Sequence, residues 1–325
     1  MTIEVLKPGL ATSVQDAGRP GYYNLGIPLS GALDQFAFHL ANRLVGNDEG
    51  AAALEAALLG PELVFSRPAI VAVTGGEATP RLNGEAMPRS ASFAVKAGDR
   101  LSFDYMKLGA RLYIAVAGGI DVPAVLGSRS TYGLGALGGF SGRKLAAGDV
   151  LPIGAAPARA RPGRAAPKDL VTQYPKELEL RVLPGLYFHR LTEESAESFF
   201  ADTWVVAPEA DRIGYRFRKG RALSFRARKQ RFGAGSDPSN IVDAGYPYGS
   251  IQVPGGVEPI ILHRDAVSGG GYAMIGTVIS ADMDRVAQMQ PNNLARFVAV
   301  DMATALKARG EYKARDARLR SALSR

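Results

Sequence analysis

Arg111-Leu-Tyr-Ile-Ala-Val-Ala-Gly-Gly119 is an apolar run that stops at a glycine pair, and Ile70-Val-Ala-Val-Thr-Gly-Gly76 follows the same plan. Short runs of this kind, rich in β-branched and aromatic residues and closed by glycine, read as buried strands rather than helices. Working outward, 38 Gly and 20 Pro are spread over the 325 residues, so turns between short strands dominate the chain. That pattern predicts a mainly β protein with a few helices, built as barrels or sandwiches. One helix stands out. Leu33, Phe36, Ala37, Leu40, Ala41 and Leu44 form a stripe at helical spacing, Gly46 supplies the stop, and Asp34, Asn42 and Arg43 occupy the other face.

The length exceeds that of a typical single domain, which predicts two. Gly154-Ala-Ala-Pro-Ala-Arg-Ala-Arg-Pro-Gly-Arg-Ala-Ala-Pro-Lys168 has no large apolar residue and three prolines, and reads as an exposed linker. The expected division is a first domain over 1–153, the linker over 154–168, a second domain over 169–306 and a basic surface tail over 307–325. Leu178-Glu-Leu-Arg-Val-Leu183 alternates as a strand, while Ala281–Gln290 and Ala295–Ala308 are expected helices on either side of Pro291.

Composition excludes several classes. No apolar run reaches the ~20 residues that cross a bilayer, and the N-terminal residues lack a signal pattern, so a soluble, cytoplasmic protein without membrane partners is expected. With no Cys, disulfides, thiolate catalysis and Cys-ligated zinc are out, and His39, His189 and His263 are too scattered to suggest a metal site. The formal charge is +8, and the span Arg212–Arg231 holds nine Lys/Arg and no acid, interleaved with Tyr215, Phe217, Phe225 and the adjoining Phe232. No nucleic-acid recognition motif accompanies it. The expected form is a pair of strands with basic outward faces and inward aromatics, suited to an anionic substrate or an acidic partner.

Gly133-Leu-Gly-Ala-Leu-Gly138 satisfies a dinucleotide spacing, but Gly139-Phe-Ser-Gly142 follows where a helix N-terminus would be needed, which predicts a mobile loop instead. Met106-Lys-Leu108 lacks a carrier domain around its lysine, and no phosphate-binding Walker loop is present. Thr12-Ser-Val-Gln-Asp-Ala-Gly-Arg-Pro-Gly-Tyr-Tyr-Asn-Leu-Gly-Ile-Pro-Leu-Ser-Gly-Ala-Leu-Asp-Gln35 is different. It crowds Gln15, Asp16, Arg19, Ser30 and Asp34 onto a rigidly turned loop ahead of the amphipathic helix. A structural alternative stands beside the functional one, in which Asp16 pairs with Arg19 and Ser30 caps the helix.

This run, with Ala41-Asn-Arg-Leu-Val-Gly-Asn47, resembles the signature of the biotin-dependent carboxyltransferase subunit family that includes the C subunit of 5-oxoprolinase, KipA, allophanate hydrolase subunit 2 and the carboxyltransferase half of urea amidolyase. Tyr113–Thr131, Arg181–Gly185, Gly214–Arg216, Gly249–Pro254, Pro259–Leu262, Gly270–Tyr272 and Ile275–Val278 extend the resemblance over nearly the whole chain. It implies two cyclophilin-like β-barrel domains. It also implies a subunit of a heteromeric enzyme acting on a small amide- or urea-like molecule, with carboxybiotin on a separate carrier. The alternatives it leaves open are an ATP-using 5-oxoprolinase-like amidohydrolase component and a non-catalytic regulator of a companion kinase-inhibitor-like protein. Each version implies a smaller companion chain, similar to the B subunit of 5-oxoprolinase or to KipI.

Carboxyl transfer of the kind the resemblance implies needs a base, for which Asp16 or Asp265 is a candidate by residue type, donors to developing negative charge, for which Arg19 and Arg129 are expected, and hooks for the substrate, expected at Gln15, Ser30, Gln252 and Tyr272. Asp34, Asn42, Ser130, Ser268, Gly270 and Gly271 complete the candidate binding set, and Arg216 would help hold phosphate if ATP is used. Two departures bear on the substrate. Asp265-Ala-Val-Ser-Gly-Gly-Gly-Tyr272 stands where many members have Asp-Arg-Gln-Thr-Thr-Gly-Gly-Tyr, and Asp243-Ala-Gly245 stands where a Ser-Glu-Gly is common. A smaller, more apolar recognition site is expected there.

Overall fold

The computed structural model describes residues 1–229 and 232–324. It is mainly β, as expected, and its described residues divide into two compact units: residues 1–19, 30–174 and 313–324 form the first, residues 20–29, 175–229 and 232–312 the second. Among the described residues there are four α-helices: α1 (Gln35–Leu44), α2 (Glu193–Ala201), α3 (Met283–Val286) and α4 (Met302–Leu323).

The first unit packs two antiparallel sheets. One runs Val150–Pro152, Thr2–Lys7, Glu62–Phe65, Arg100–Phe103, Pro80–Leu82, Glu85–Ala86; the other runs Ala11–Gln15, Ala53–Ala57, Arg111–Val116, Ala69–Gly75, Ser92–Val95. The two-residue period sends Ile3, Val5, Leu63 and Phe65 of the first sheet against Val14, Leu54, Val73 and Ile114 of the second. Both glycine-terminated runs are adjacent strands of this second sheet, with Ile114 opposite Val73. Gly75 adopts φ +87°, and a Cβ there would lie 2.4 Å from the carbonyl oxygen of Arg111, so the strand end requires glycine.

The other face of that second sheet is polar. Ser13, Glu55, Tyr113 and Thr74 fall in register across four strands and form one row. Helix α1 lies over them: Thr74 Oγ1 donates to the Ala37 carbonyl (2.6 Å), and Phe38 meets the Tyr113 ring edge-on at 6.2 Å. The apolar stripe of α1 is buried as its spacing predicts. Its polar face is buried too: the turn over Asn47–Ala51 encloses Asn42, and Asp316 near the end of α4 meets Arg43. There Arg43, with 6% of its side chain exposed, holds Asp316 through two bonds of 2.7 and 3.0 Å and Glu49 through a third of 2.9 Å. Asn42 instead donates to the carbonyls of Glu49 and Ala51 and anchors Asn47. Residues 154–168 run along the edge strand Ser92–Val95, with Gly163 N on the Ser92 carbonyl and Ser92 N on the Arg164 carbonyl.

The second unit contains a closed seven-stranded barrel in the order Glu177–Pro184, Met274–Val278, Ser250–Gln252, Ile260–Leu262, Gly214–Arg218, Trp204–Val206, Leu294–Ala299. The first strand alternates exposed and buried, as its sequence predicts, and closes the barrel by pairing in parallel with the last. Inside, Phe199 stacks on Phe297 at 4.6 Å, and Trp204 donates its indole N–H to the Phe199 carbonyl at 3.1 Å. Leu294–Ala299 corrects the expected helix over Ala295–Ala308. Ala295 and Phe297 point inward at a two-residue spacing and the helix begins only at Met302, so barrel pairing has overridden good helix-forming residues. The basic span is also only half strand. In Gly214–Arg218, Tyr215 and Phe217 are buried and Arg216 exposed, whereas Lys219–Lys229 form no strand, Phe232 is fully exposed where an inward aromatic is expected, and Arg231 lies outside the described residues. A separate two-stranded ribbon pairs Asn240–Gly245 with Gly269–Tyr272.

Candidate functional site

The signature loop begins where the strand Ala11–Gln15 ends, and its buried carboxylate organises it. Asp16 accepts Gly18 N (2.8 Å), Ser128 Oγ (2.7 Å), Arg129 N (2.6 Å) and Ser130 Oγ, while its own N–H donates to Ser130 Oγ at 3.0 Å. The Ser130 carbonyl accepts from the buried Arg19 guanidinium. Gln15, also buried, donates to Ser13 Oγ and the Thr131 carbonyl. The first signature and the Gly127–Thr131 block therefore come together in the first unit. Arg129 turns its side chain outward, where it is 42% exposed and pairs with Asp121 at 3.0 Å.

The Gly133–Gly142 segment, expected to be mobile, is packed against this network. A Cβ on Gly138 would stand 2.3 Å from the Ser130 carbonyl and 2.7 Å from Arg19, and no helix follows the glycines. The helix cap is Asp34 and not Ser30: Asp34 Oδ1 accepts Ala37 N at 2.9 Å. Asp34 Oδ2 accepts the Tyr174 hydroxyl at 3.0 Å, and Asp34 N donates to the Tyr113 hydroxyl, which in turn donates to Glu55. Burial, and then the neighbouring Glu55 and Asp34 charges, push the Tyr113 hydroxyl well above its ordinary pKa, so it remains a donor. Ser30 and Asn42 are buried in this same unit.

The remaining candidates lie in the second unit. Asp265 is buried and paired with Arg212 at 2.7 and 3.1 Å. Arg216 is exposed on the barrel strand Gly214–Arg218. Ser268, Gly270, Gly271 and Tyr272 lie in or beside the ribbon, and Gln252 is buried on the barrel. Sequence reasoning missed Tyr246, the residue that joins Gln252, Ser268, Gly270 and Tyr272. Its hydroxyl donates to the Tyr272 carbonyl and accepts Tyr272 N, both at 2.8 Å, and its ring sits where a Cβ on Gly270 would approach to 3.0 Å. Burial raises the Tyr246 pKa, with hydrogen bonds from the Tyr272 backbone and Gln252 acting the other way. Tyr23, inside the first signature, was also missed. Its hydroxyl donates to the Tyr246 carbonyl at 3.1 Å. Both tyrosines stand next to glycine-rich turns, a weak signal that polar groups elsewhere in those motifs outshone.

Among the described residues no group of His, Cys, Asp or Glu is placed to hold a metal ion, and no helix is long and apolar enough to cross a membrane. A cavity of ≈ 600 Å³ in the first unit, lined by residues such as Ile70, Val95, Ala117 and Ile153, is apolar and includes none of the candidate residues.

Residues 25–299 match the family model described as "Carboxyltransferase domain, subdomain A and B". The chain is 36% identical to the C subunit of 5-oxoprolinase from Escherichia coli K12, over 96% of this chain and 95% of that protein. It is 37% identical to urea amidolyase of Lachancea kluyveri over 91% of this chain, and it spans only 17% of that much longer protein. The crystal structure of the Kluyveromyces lactis urea carboxylase superposes with a TM-score of 0.90 at 37% identity, covering 97% of this chain and 29% of that one. The glycine-built strands, the signature loop and its buried carboxylate thus stand in a chain that belongs to the carboxyltransferase domain family, subdomains A and B.

Proposed function

We propose that this chain is the carboxyltransferase component of a heteromeric enzyme that acts on a small amide- or urea-like molecule. The observation that carries this reading is the convergence, within the second unit, of Tyr23 from the first signature with Tyr246, Tyr272 and Gln252 from the later blocks, around a strand of consecutive glycines. The exposed Tyr272 side chain and the half-buried glycine backbone offer a mixture of donors and acceptors on a surface ordered from within by the Tyr23 and Tyr246 hydroxyls, and the nearby cation, Arg228, is engaged by the Asn240 carbonyl; such a surface suits an uncharged N–H compound. The same neutral mixture suits the ureido ring of carboxybiotin, which, carried by a separate carrier protein, supplies an activated carboxyl group.

Within this reading, the residues of the chain bind and orient the acceptor nitrogen and take its proton. Asp243 is the exposed carboxylate of the ribbon and is open to that proton. Asp16 and Asp265, whose oxygens are engaged by the loop donors and by Arg212, hold their segments in place, and Arg19 acts with Asp16 through Ser130. Gly270 keeps the backbone close to the Tyr246 ring, and Tyr272, 42% exposed, presents its side chain outward.

A second reading, ATP-dependent opening of a lactam by a 5-oxoprolinase-like complex, is favoured by the near end-to-end match with the Escherichia coli protein of that name. The small companion chain is part of both. The test is to co-purify the chain with that companion and assay ATP hydrolysis against small amides, lactams and ureas, with and without a biotinylated carrier. Turnover that requires the carrier supports carboxyl transfer. Substrate-stimulated ATP hydrolysis without the carrier selects the second reading, and a stable complex that turns over nothing overturns both in favour of a regulatory binding role.

A further inference from the structure

We infer that Pro20–Leu29 is a lid over the tyrosine ribbon and that Tyr23 is its latch; the inference rests on the ribbon being the acceptor-binding region.

Both ends of the loop are fixed. Gly18 N donates to Asp16 Oδ1 at 2.8 Å and Ala32 N to the Asp16 carbonyl at 2.9 Å. A Cβ on Gly31 would come within 2.7 Å of Gly18 N, so the two ends of the loop touch backbone to backbone and admit no side chain. A compact surface loop with closed ends is a recurrent functional form. Its span is held far more lightly. Inside it, Leu25 N and Ile27 N reach the Tyr22 carbonyl and Gly26 N reaches the Tyr23 carbonyl, which shapes a single turn. Among the described residues, the bond from Tyr23 Oη to the Tyr246 carbonyl is the one hydrogen bond that residues 20–29 make outside the loop. Gly21 and Gly26, at φ +97° and +76°, have nothing within 4 Å of an added Cβ, so both pivots have room to turn.

The location of that bond is what gives it a function. Tyr246 fixes both the N–H and the carbonyl of Tyr272 and underlies Gly270, so the lid is latched to the residue that orders the ribbon. Opening requires the loss of one neutral hydrogen bond to the ribbon and of the contacts that half-bury Tyr22, Tyr23, Ile27 and Leu29 and bury Pro28, whereas Leu25 at the tip is 68% exposed. Closure would exclude water from a bound acceptor. Tyr23 is therefore a positioning residue, acting through Tyr246.

The chain has no cysteine, so Leu25→Cys carries a nitroxide spin label at a single exposed site. Adding Tyr23→Phe removes the latch and keeps the ring. A neutral hydrogen bond contributes about 0.5–1.5 kcal/mol, which at 1.4 kcal/mol per decade is about a two- to ten-fold rise in the mobile fraction of the label. Emission of Trp204, the single tryptophan and buried in the barrel, reports that the unit remains folded. A second label at Leu134→Cys, an exposed site in the first unit, should not respond. Unchanged mobility at residue 25 with native Trp204 emission overturns the latch, and so does an equal rise at residue 134. Neither readout needs turnover, so failure here leaves the proposed reaction standing, and failure of the reaction assay leaves the latch standing.

Discussion

Replacing Asp16 by Asn should loosen the signature loop by an amount that can be worked out from its partners. The carboxylate accepts two backbone N–H groups, of Gly18 and Arg129, and two hydroxyls, of Ser128 and Ser130. The hydroxyls can rotate to other acceptors, but the two N–H groups are fixed by the chain. Hydrogen bonds to a charged group contribute about 1.5–3 kcal/mol each, and an amide keeps one acceptor oxygen while turning its NH2 toward a donor. One fixed N–H is therefore lost and the other weakened, a local cost of about 2–4 kcal/mol. By native-state hydrogen exchange, the amides of Gly18 and Arg129 should lose about 30- to 1,000-fold of their protection. Ser130→Ala should lose less, because it removes a hydroxyl and leaves both N–H bonds to Asp16. A change below tenfold in Asp16→Asn would refute the assignment of Asp16 as the organiser of the loop.

Three further outcomes follow from other contacts. Glu49 has its pKa lowered chiefly by the Arg43 hydrogen bond; at Asp316 burial raises the pKa, but the bond and charge of Arg43 outweigh it and the net shift is downward. Folded-state values below the unfolded ones mean that this stabilisation is complete above the usual carboxylate range and is lost as pH falls through the depressed values, so exchange protection of residues 313–323 should fall in acid below about pH 4. Asp316→Ala should reproduce that loss at neutral pH, by about 1–3 kcal/mol, because Arg43 stays buried with Glu49 as its remaining carboxylate. Gly220→Ala would place a methyl 2.6 Å from the Trp204 ring and should destabilise the barrel by about 1–3 kcal/mol with a shift of Trp204 emission; unchanged emission and stability would show that the ring can yield.

The strands that were legible, Ala69–Gly75, Arg111–Val116 and Glu177–Pro184, each carry their own evidence, whereas Ala11–Gln15 was hidden in the run read as a loop. Runs such as Arg111–Val116 have β-branched residues, alternation and a glycine stop within a few positions, and α1 has an apolar stripe with Asp34 at its start. Leu294–Ala299 was not legible as a strand, because leucine, alanine and arginine favour a helix and only its distant partners, Glu177–Pro184 and Trp204–Val206, decide otherwise. The same reason hid the burial of Arg43 on α1: nothing local to it indicates that Asp316 will arrive from a distant part of the chain. At the candidate site, the loop containing Asp16 and Arg19 was marked by its density of polar groups among glycines. Tyr246 went unnoticed because its importance lies in bonding the backbone of Tyr272, a relation set by ribbon register and not by residue type.

The division of the chain has a consequence for its biogenesis. Residues 313–324 complete the first unit, residues 20–29 belong to the second, and the barrel is sealed only when Leu294–Ala299 lies beside Glu177–Pro184. Neither unit can therefore be finished while the ribosome is still working on the region beyond residue 175, and the first to be started is the last to be sealed. Long-range closure of this kind slows folding and leaves unpaired edges exposed in the meantime. A nascent chain stalled near residue 174 would carry the signature loop without the ribbon that its Tyr23 grips and α1 without its cover, making it a natural client for a chaperone and a poor choice of fragment for expression.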